Sequence, residues 1–190
     1  MVFVVIEGID GSGKRTQVRM LCERLAAEGR NVIQTKEPTD GPIGTLAKSM
    51  LKDRAPFYGL TLQLLFAADR SEHMKGLKSA VASRSAVVVS DRYYHSTIAF
   101  GEALGINREY LEKINAAFPK PDITFVLDIG VEEALRRISA RTKPGALERR
   151  EIMRKAYRSY RKFTGVVFVD AERSRERISD ELFKRVKKLV

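Results

Sequence analysis

A glycine-rich turn near the start of the sequence has the residue types and spacing of a phosphate-binding loop. It follows an apolar run at residues 2–6 and contains, in order, Gly8, Ile9, Asp10, Gly11, Ser12, Gly13 and Lys14, the pattern GxxxxGK. Glycines let successive backbone N–H groups point at one phosphate. The next helix adds its positive N-terminal end, and the lysine reaches the outer phosphates. The sequence therefore predicts that residues 8–14 bind a nucleoside triphosphate.

The residue after the lysine departs from the usual pattern. That position normally holds a Ser or Thr whose hydroxyl binds Mg²⁺, but here it is Arg15, and Thr16 lies ~100° further around the helix. A guanidinium ~5 Å from a divalent ion at an effective dielectric of ~20 would be repelled by about 6–7 kcal/mol. Arg15 must therefore point away or displace the metal. Both residues are expected beside bound ATP, but the pattern leaves efficient use of Mg²⁺-ATP open.

Two neighbouring residues of opposite charge, Asp91 and Arg92, follow a second apolar run at residues 86–90. Ligands of open α/β sheets bind beyond the carboxyl ends of the strands, so both side chains are expected to face the crevice beside the loop. An arginine there favours an anionic acceptor, because a neutral hydroxyl acceptor would need a base instead.

With these motifs the chain resembles the thymidylate kinase family, P-loop enzymes that transfer a phosphoryl group from ATP to dTMP. The matching segments are Asp91-Arg92-Tyr93 followed by Ser96, Thr97, Ala99 and Phe100; Lys36-Glu37-Pro38; Leu64-Leu65-Phe66-Ala67-Ala68-Asp69-Arg70; and Pro121-Asp122-Ile123-Thr124 leading to Leu127-Asp128. Gly101 departs from the family, which usually has a small polar residue or Gln there. The resemblance runs through nearly the whole chain.

The resemblance implies how the acceptor nucleotide is held. Phe66 is similar to the aromatic residue that stacks on thymine, and Arg70 to the residue that hydrogen-bonds its carbonyl edge. Phe100 resembles the ring that crowds the 2′ position, Asp10 the contact to the 3′-hydroxyl, and Pro38 the proline that shapes the pocket through a bent peptide. Without the resemblance, an aromatic residue at position 66 would more often belong to the core.

The resemblance also implies the groups around the phosphates. Arg92 is similar to the clamp on the acceptor phosphate, and Asp91 to the carboxylate that orients the water shell of Mg²⁺. The predicted substrate-binding residues are Asp10, Glu37, Pro38, Phe66, Arg70, Arg92, Ser96 and Phe100. The expected small molecules are ATP, dTMP and Mg²⁺.

Most of the basic excess of the chain falls in its last third. Lys and Arg number 35 against 24 Asp and Glu, a net charge of +11, and residues 131–190 hold 18 of the former and 9 of the latter. In thymidylate kinases the region that corresponds to residues 136–162 of this chain is a mobile lid over ATP. Where the loop has no arginine at the position of Gly11, that lid supplies the catalytic arginines. The resemblance thus implies roles for Arg137, Arg141 and Arg149.

The predicted catalytic residues are Lys14, Asp91, Arg92, Arg137 and Arg141, and Arg149 is predicted to bind ATP. A helix with this many charged residues can also lie in solvent without contacting substrate. That is the expectation for Lys155, Arg161 and Lys162. No catalytic triad or general-base histidine is evident, and a phosphate dianion needs none.

The elements that must position these residues alternate along the chain. Apolar runs predict strands at residues 2–6, 31–36, 86–90, 123–128 and 166–170. Helical patterns separate them, near residues 14–28, 43–53, 59–80, 94–103, 108–117, 131–140 and 147–162, with a closing helix ending near residue 190. Continuously apolar strands belong to a parallel sheet covered on both faces. We therefore expect one α/β domain over residues 1–190 with the P-loop NTPase fold.

Several classes of protein are excluded by composition. The apolar run at residues 1–6 is far short of the ~20 residues of a membrane span, and no secretory signal is expected. Cys22 has no partner for a disulfide, and His73 and His95 lack zinc-ligand spacing, so the cytoplasm is expected. Three Asn and three Gln beside many Arg, Lys and Glu are typical of a thermophilic protein.

Three other functions are compatible with the residues, the last two as versions of a protein that does not act as a kinase. One is a related P-loop kinase acting on a deoxynucleoside or another monophosphate. The others are a slow or non-catalytic nucleotide binder, which Arg15 favours, and a nucleic-acid binder using the basic last third. Nucleic-acid binding is disfavoured, because the charge is not spread along the chain. Homodimers are usual in the family, and the helix at residues 59–80 is a candidate interface.

Overall fold

The computed structural model describes residues 1–52, 59–80, 86–140 and 146–190 of the chain. Within these ranges five parallel strands form one sheet in the order β2-β3-β1-β4-β5. The strands are β1 Val2–Glu7, β2 Asn31–Lys36, β3 Ala86–Asp91, β4 Ile123–Asp128 and β5 Val167–Asp170. The predicted α/β class and parallel sheet are confirmed.

Helices follow the strands and cover both faces of the sheet. They are α1 Lys14–Ala27, α2 Pro42–Lys52, α3 Gly59–Ala80, α4 Tyr94–Ala103, α5 Arg108–Asn115, α6 Val131–Ser139, α7 Arg150–Tyr160 and α8 Arg175–Val186. No helix in the described ranges is long and apolar enough to cross a membrane.

Burial of β1 on both faces explains why its sequence is apolar without interruption. Because side chains alternate along a strand, Val4 and Ile6 pack into the larger core, which includes residues of α1, α6, α7 and α8. Phe3 and Val5 point the other way, into a smaller cluster that contains Met74 of α3. The edge strand β2, in contrast, has only exposed and half-buried positions.

Three helices are shorter than the sequence indicates, and one of them, α5, ends at Asn115 instead of near residue 117. The basic helix predicted over residues 147–162 is α7, and Arg149 before it has an extended backbone. Its buried stripe is Met153, Ala156, Ser159 and Tyr160, and this stripe, rather than the charged flanks, fixes its length. The closing helix ends at Val186 instead of near residue 190, because the buried positions of α8 end there.

The register of the sheet brings the glycine-rich loop after β1 and the Asp91-Arg92 pair at the end of β3 to the same edge. β1 and β3 pair with Ile6 opposite Asp91, so the loop that follows β1 starts beside the carboxyl end of β3. Lys36 at the end of β2 also lies opposite Asp91. Three strands therefore deliver their C-terminal residues to the same crevice.

Candidate active site

The glycine-rich turn connects β1 to α1 and wraps around its own lysine. Lys14 is buried, its Nζ donates to the carbonyl of Ile9 at 2.9 Å, and the same atom lies 4.0 Å from Oδ1 of Asp10. Gly13 is the N-cap of α1 and makes no side-chain cap. The N–H groups at the start of α1 therefore retain their capacity to bind an anion.

Gly11 shows why the loop carries no arginine at its centre. Its φ is 82°, and a Cβ built there would lie 2.4 Å from the carbonyl oxygen of Ala134. α6 thus packs directly against the loop backbone and leaves no room for a side chain. Position 11 therefore cannot supply a cationic side chain to a phosphate held by the loop.

Arg92 adopts a backbone conformation that is rare outside glycine. Its φ is 72°, a left-handed conformation that costs about 1–2 kcal/mol for a residue with a Cβ. Two hydrogen bonds hold the backbone of Arg92 in this conformation. Its N–H donates to the carbonyl of Ile6 at 3.0 Å, and its own carbonyl accepts from Oγ of Ser90 at 2.7 Å. Such strained residues concentrate at functional sites.

The guanidinium of Arg92 bridges the loop and α4. Its Nη1 donates to Oγ of Ser96 at 2.8 Å and to the carbonyl of Gly8 at 3.3 Å. Its Nη2 is hydrogen-bonded to Oδ1 of Asp10. The ring centroid of buried Phe100 lies 5.6 Å from its central carbon. The structure thus brings residues predicted to bind ATP close to residues predicted to bind dTMP.

The crowded charges shift the ionisation of the loop. Burial, with the nearby charge of Arg92, lowers the pKa of Lys14 to about 8. Burial alone would raise the pKa of Asp10, but Arg92 and Lys14 outweigh it and hold the value below the usual one. The cluster therefore favours an additional anion.

A narrow cleft opens beside Arg92, between the end of β2, α3 and α4. Its lining includes Glu37, Pro38, Phe66, Arg70, Arg92 and Ser96, all predicted to bind the acceptor. The peptide bond before Pro38 is cis, in agreement with the predicted bend. Phe66 is half-buried, so its ring is available at the cleft rather than enclosed in the core.

Arg70 is held by partners that the sequence did not identify. Its side chain is buried; Nε donates to Oε2 of Glu37 at 2.8 Å, Nη1 to Oδ1 of Asn115 at 2.5 Å and Nη2 to Oγ1 of Thr97 at 3.0 Å. Nδ1 of His73 lies 2.9 Å from Oε1 of Glu37. Asn115 lies 45 positions from Arg70, so sequence spacing gives no sign of the contact.

A second cavity, of about 490 Å³, lies beside the loop where the metal is expected. Its lining includes Arg15, Lys36 and Asp91. Oδ1 of Asp91 is buried and has no hydrogen-bond partner, as suits an oxygen that faces an ion or its water shell. The side chain of Arg15 is exposed, whereas Thr16 is half-buried. The residues fit Mg²⁺ through Asp91, but position 15 supplies no hydroxyl ligand.

The basic region contributes less directly to the crevice. Nε of Arg137 donates to Oε1 of Glu133 at 2.7 Å, and its Nη1 donates to the carbonyl of Ala171 at 3.1 Å. Two nitrogens of this guanidinium are therefore already hydrogen-bonded within the protein. Arg149 is exposed at the N-cap of α7, and Arg141 lies outside the described residues. Lys155, Arg161 and Lys162 are exposed and pair with Glu151, Asp128 and Glu102.

A phosphate-binding-loop motif and a second cleft lie at one edge of the sheet, and Arg92 borders both. This arrangement is typical of P-loop kinases that phosphorylate a second anion. The family model for thymidylate kinase matches residues 6–182. A probable thymidylate kinase of Pyrococcus abyssi is 37% identical over 97% of this chain and 95% of its own length. The thymidylate kinase of Halothermothrix orenii is 36% identical over 98% of this chain and 96% of its own length. The chain belongs to the thymidylate kinase family.

The fold agrees with that assignment. The structure of thymidylate kinase from Candida albicans superposes with a TM-score of 0.81 and covers 98% of this chain and 91% of the Candida chain. Sequence identity between the two is 23%, so this likeness concerns the fold alone. It confirms the predicted P-loop NTPase fold.

Proposed function

We propose that the protein transfers the γ-phosphoryl group of ATP to dTMP, giving ADP and dTDP. The observation that carries the proposal is the position of Arg92, which is hydrogen-bonded to Asp10 of the phosphate-binding loop and lines the acceptor cleft. One cation can therefore contact the acceptor phosphate next to the donor phosphates. Family membership supports dTMP as the acceptor.

The reaction needs no general base on the protein. The acceptor phosphate has a second pKa near ~6 and is a dianionic nucleophile at neutral pH. The protein must hold two polyanions in line and neutralise the charge on the transferring group. The site offers Lys14 and the N-terminus of α1 on the donor side and Arg92 on the acceptor side.

Magnesium would be held on the β3 side of the loop. When bound, Mg²⁺ supplies positive charge to the transferring phosphoryl group. Asp91 would orient its water shell, for which the buried Oδ1 without a partner is suited. Thr16 offers the nearest hydroxyl along the chain after Arg15.

The acceptor nucleotide would lie in the cleft beside Arg92. Phe66 would stack on the base, and Arg70, fixed by Glu37, Thr97 and Asn115, would present its remaining N–H to the base edge. A guanidinium held by three partners loses little freedom on binding. Phe100 lies under Arg92 and would restrict the sugar to deoxyribose.

A lid over ATP would lie within residues 136–162, outside the stripe of α7 that is buried in the core. The absence of space at Gly11 supports the supply of cations from this region, with Arg137, Arg141 and Arg149 as candidates. Arg137 would have to exchange its present partners, Glu133 and the carbonyl of Ala171, for phosphate. Lid closure would exclude water and suppress ATP hydrolysis.

A homodimer in the cytoplasm is the assembly and location we propose. Leu46 of α2 and Leu64 of α3 are large apolar side chains with 52% and 43% of their surface exposed. α2 and α3 pack against each other, so the two leucines can contribute to one surface. A second copy of the chain would cover them.

The direct test is a coupled assay of ADP formation with dTMP, dUMP, dCMP and thymidine, each with and without magnesium. We expect the highest kcat/KM with dTMP, little reaction with thymidine, and dependence on magnesium. Faster turnover of another monophosphate would favour the related kinase. ATP binding without turnover would favour a nucleotide binder, the function that Arg15 supports.

Replacing Arg15 with threonine is expected to improve use of magnesium. The change restores a hydroxyl ligand and removes a cation beside the metal, so kcat should rise about three- to tenfold and the apparent affinity for Mg²⁺ should tighten. The measurement is kcat across a magnesium titration, with KM for dTMP expected to change little. Arg19→Thr, at an exposed position of α1, is the matched control. No gain in kcat at any magnesium concentration would refute this explanation.

Replacing Phe66 with alanine is expected to weaken acceptor binding selectively. Loss of stacking on a base costs about 1–3 kcal/mol, which corresponds to an increase of about 5- to 150-fold in KM for dTMP. The KM for ATP should stay unchanged, since the ring lies only at the acceptor cleft. Ser71→Ala, at an exposed position of α3, is the control in the same initial-rate assay. A normal KM for dTMP in the Phe66 variant would rule out stacking.

A further inference from the structure

Glu7, the last residue of β1, caps a helix that belongs to another part of the chain. Its carboxylate is fully buried, and Oε1 accepts the backbone N–H of Tyr93 at 2.8 Å and of Ser96 at 3.1 Å. These N–H groups stand at the start of α4, which has no side-chain cap from Tyr93. Glu7 therefore satisfies the N-terminus of α4 from the neighbouring strand.

The other oxygen of the same carboxylate binds two hydroxyl groups. Oε2 of Glu7 accepts from Oγ of Ser96 at 2.6 Å and from Oη of Tyr160 at 2.8 Å. Burial, with the nearby charge of Glu7, raises the pKa of Tyr160 well above its usual value, so the phenol keeps its proton. Each hydroxyl has one proton to donate, and Oε2 of Glu7 is an acceptor within hydrogen-bonding distance of both.

This arrangement fixes the hydrogen bond between Ser96 and Arg92. Since the Ser96 proton is donated to Glu7, the lone pairs of its Oγ face Nη1 of Arg92, which donates at 2.8 Å. Oη of Tyr160 lies 2.9 Å from the same Oγ and restricts its rotation. Hydrogen bonds thus run from Arg92 through Ser96 to Glu7, with Tyr160 closing the group from the end of α7.

We propose that Glu7 and Tyr160 are positioning residues that hold the Arg92 guanidinium in the orientation needed by the acceptor phosphate. Neither contacts substrate; each acts through Ser96. The inference rests on the proposed function and deepens it. Because Tyr160 is the last residue of α7, within residues 136–162, the proposal also links that region to the acceptor side of the site.

Loss of the Tyr160 hydroxyl is expected to weaken binding of the acceptor phosphate but not binding of the base. In Tyr160→Phe, Glu7 loses one of four donors, and Ser96 gains freedom to turn away from Arg92. The Arg92 guanidinium then populates several orientations, including those that contact Asp10 and Gly8. Binding of the phosphate must fix one of them, which weakens the binding. Arg92 and Ser96 line the same cleft as Phe66 and Arg70, but the hydrogen bonds that hold Arg70 go to Glu37, Asn115 and Thr97 and not to this group.

The test is calorimetric titration of the full chain with dTMP and with thymidine. In Tyr160→Phe the Kd for dTMP should rise about five- to tenfold, the effect of one ordinary hydrogen bond. The Kd for thymidine, which lacks the phosphate, should not change. Tyr110→Phe, an exposed tyrosine of α5, should leave both unchanged. Ser96→Ala breaks the next hydrogen bond of the same group and should give the same selective loss.

The outcomes separate three explanations. Equal weakening of dTMP and thymidine would show a purely structural role for Tyr160 and overturn the inference. Unchanged dTMP affinity in both variants would overturn it as well. Wild-type protein that binds dTMP no more tightly than thymidine would contradict the proposed function itself, and with it the positioning role.

Discussion

Arg92→Ala is expected to lower kcat/KM for dTMP by about 10²- to 10³-fold, with losses in both KM and kcat. Arg92 is the cation that borders both substrates, and its removal also leaves Asp10 without its hydrogen-bond partner. Alanine keeps a Cβ at the left-handed backbone position, so the backbone strain is matched to the wild type. Initial rates over a matrix of ATP and dTMP concentrations give both parameters.

Arg92→Lys is the matched variant for that experiment. It keeps the charge but loses the planar fork that contacts Ser96 and Asp10 together, so only part of the loss should be recovered. Thermal unfolding of each variant checks that the fold is retained. A folded Arg92→Ala protein with wild-type kcat and KM would show that Arg92 does not contact the acceptor phosphate.

Lys14→Ala is expected to lower kcat by about 10²- to 10³-fold, because the charge of Lys14 faces the γ-phosphate as it transfers. The ionisation of the wild-type lysine gives an independent check. Its pKa is lowered to about 8, so it is charged below that pH and neutral above it. The charged fraction of free enzyme falls about tenfold between pH 7 and pH 9, and kcat/KM for ATP should fall with it.

Lys14→Arg separates this effect from other titrations. Arginine stays charged across the same range, so the decline of kcat/KM above pH 8 should be absent even where the absolute rate is lower. A decline of equal size in Lys14→Arg would assign it to another group. Substantial activity in a folded Lys14→Ala protein would contradict the proposed role of the loop.

The sequence predicted the strands well because each is a short apolar run that ends at a charged residue. β1, β3 and β4 were placed within one residue, and the loop after β1 follows from its glycines and lysine. The order of the strands was not predicted, since an apolar run carries no information about its neighbours. Helix ends were predicted less well, as α7 shows, because charged residues form helices readily whether or not they are buried.

The acceptor side was predicted only in part. Phe66, Arg70, Arg92 and Ser96 do meet at one cleft. Asn115 and Thr97, which hold Arg70, come from α5 and α4, and Tyr160 lies 153 positions from Glu7. Contacts of that kind depend on how helices pack, which hydrophobic periodicity does not specify. The roles of Arg137, Arg141 and Arg149 stay predictions.

The most direct measurement is a crystal structure of the protein with dTMP and a non-hydrolysable ATP analogue. We expect the guanidinium of Arg92 within hydrogen-bonding distance of the dTMP phosphate, with that phosphate facing the terminal phosphate held by Lys14 and the start of α1. A dTMP bound elsewhere, or an Arg92 that still contacts only Asp10, Gly8 and Ser96 while the phosphate binds other groups, would contradict the proposed mechanism.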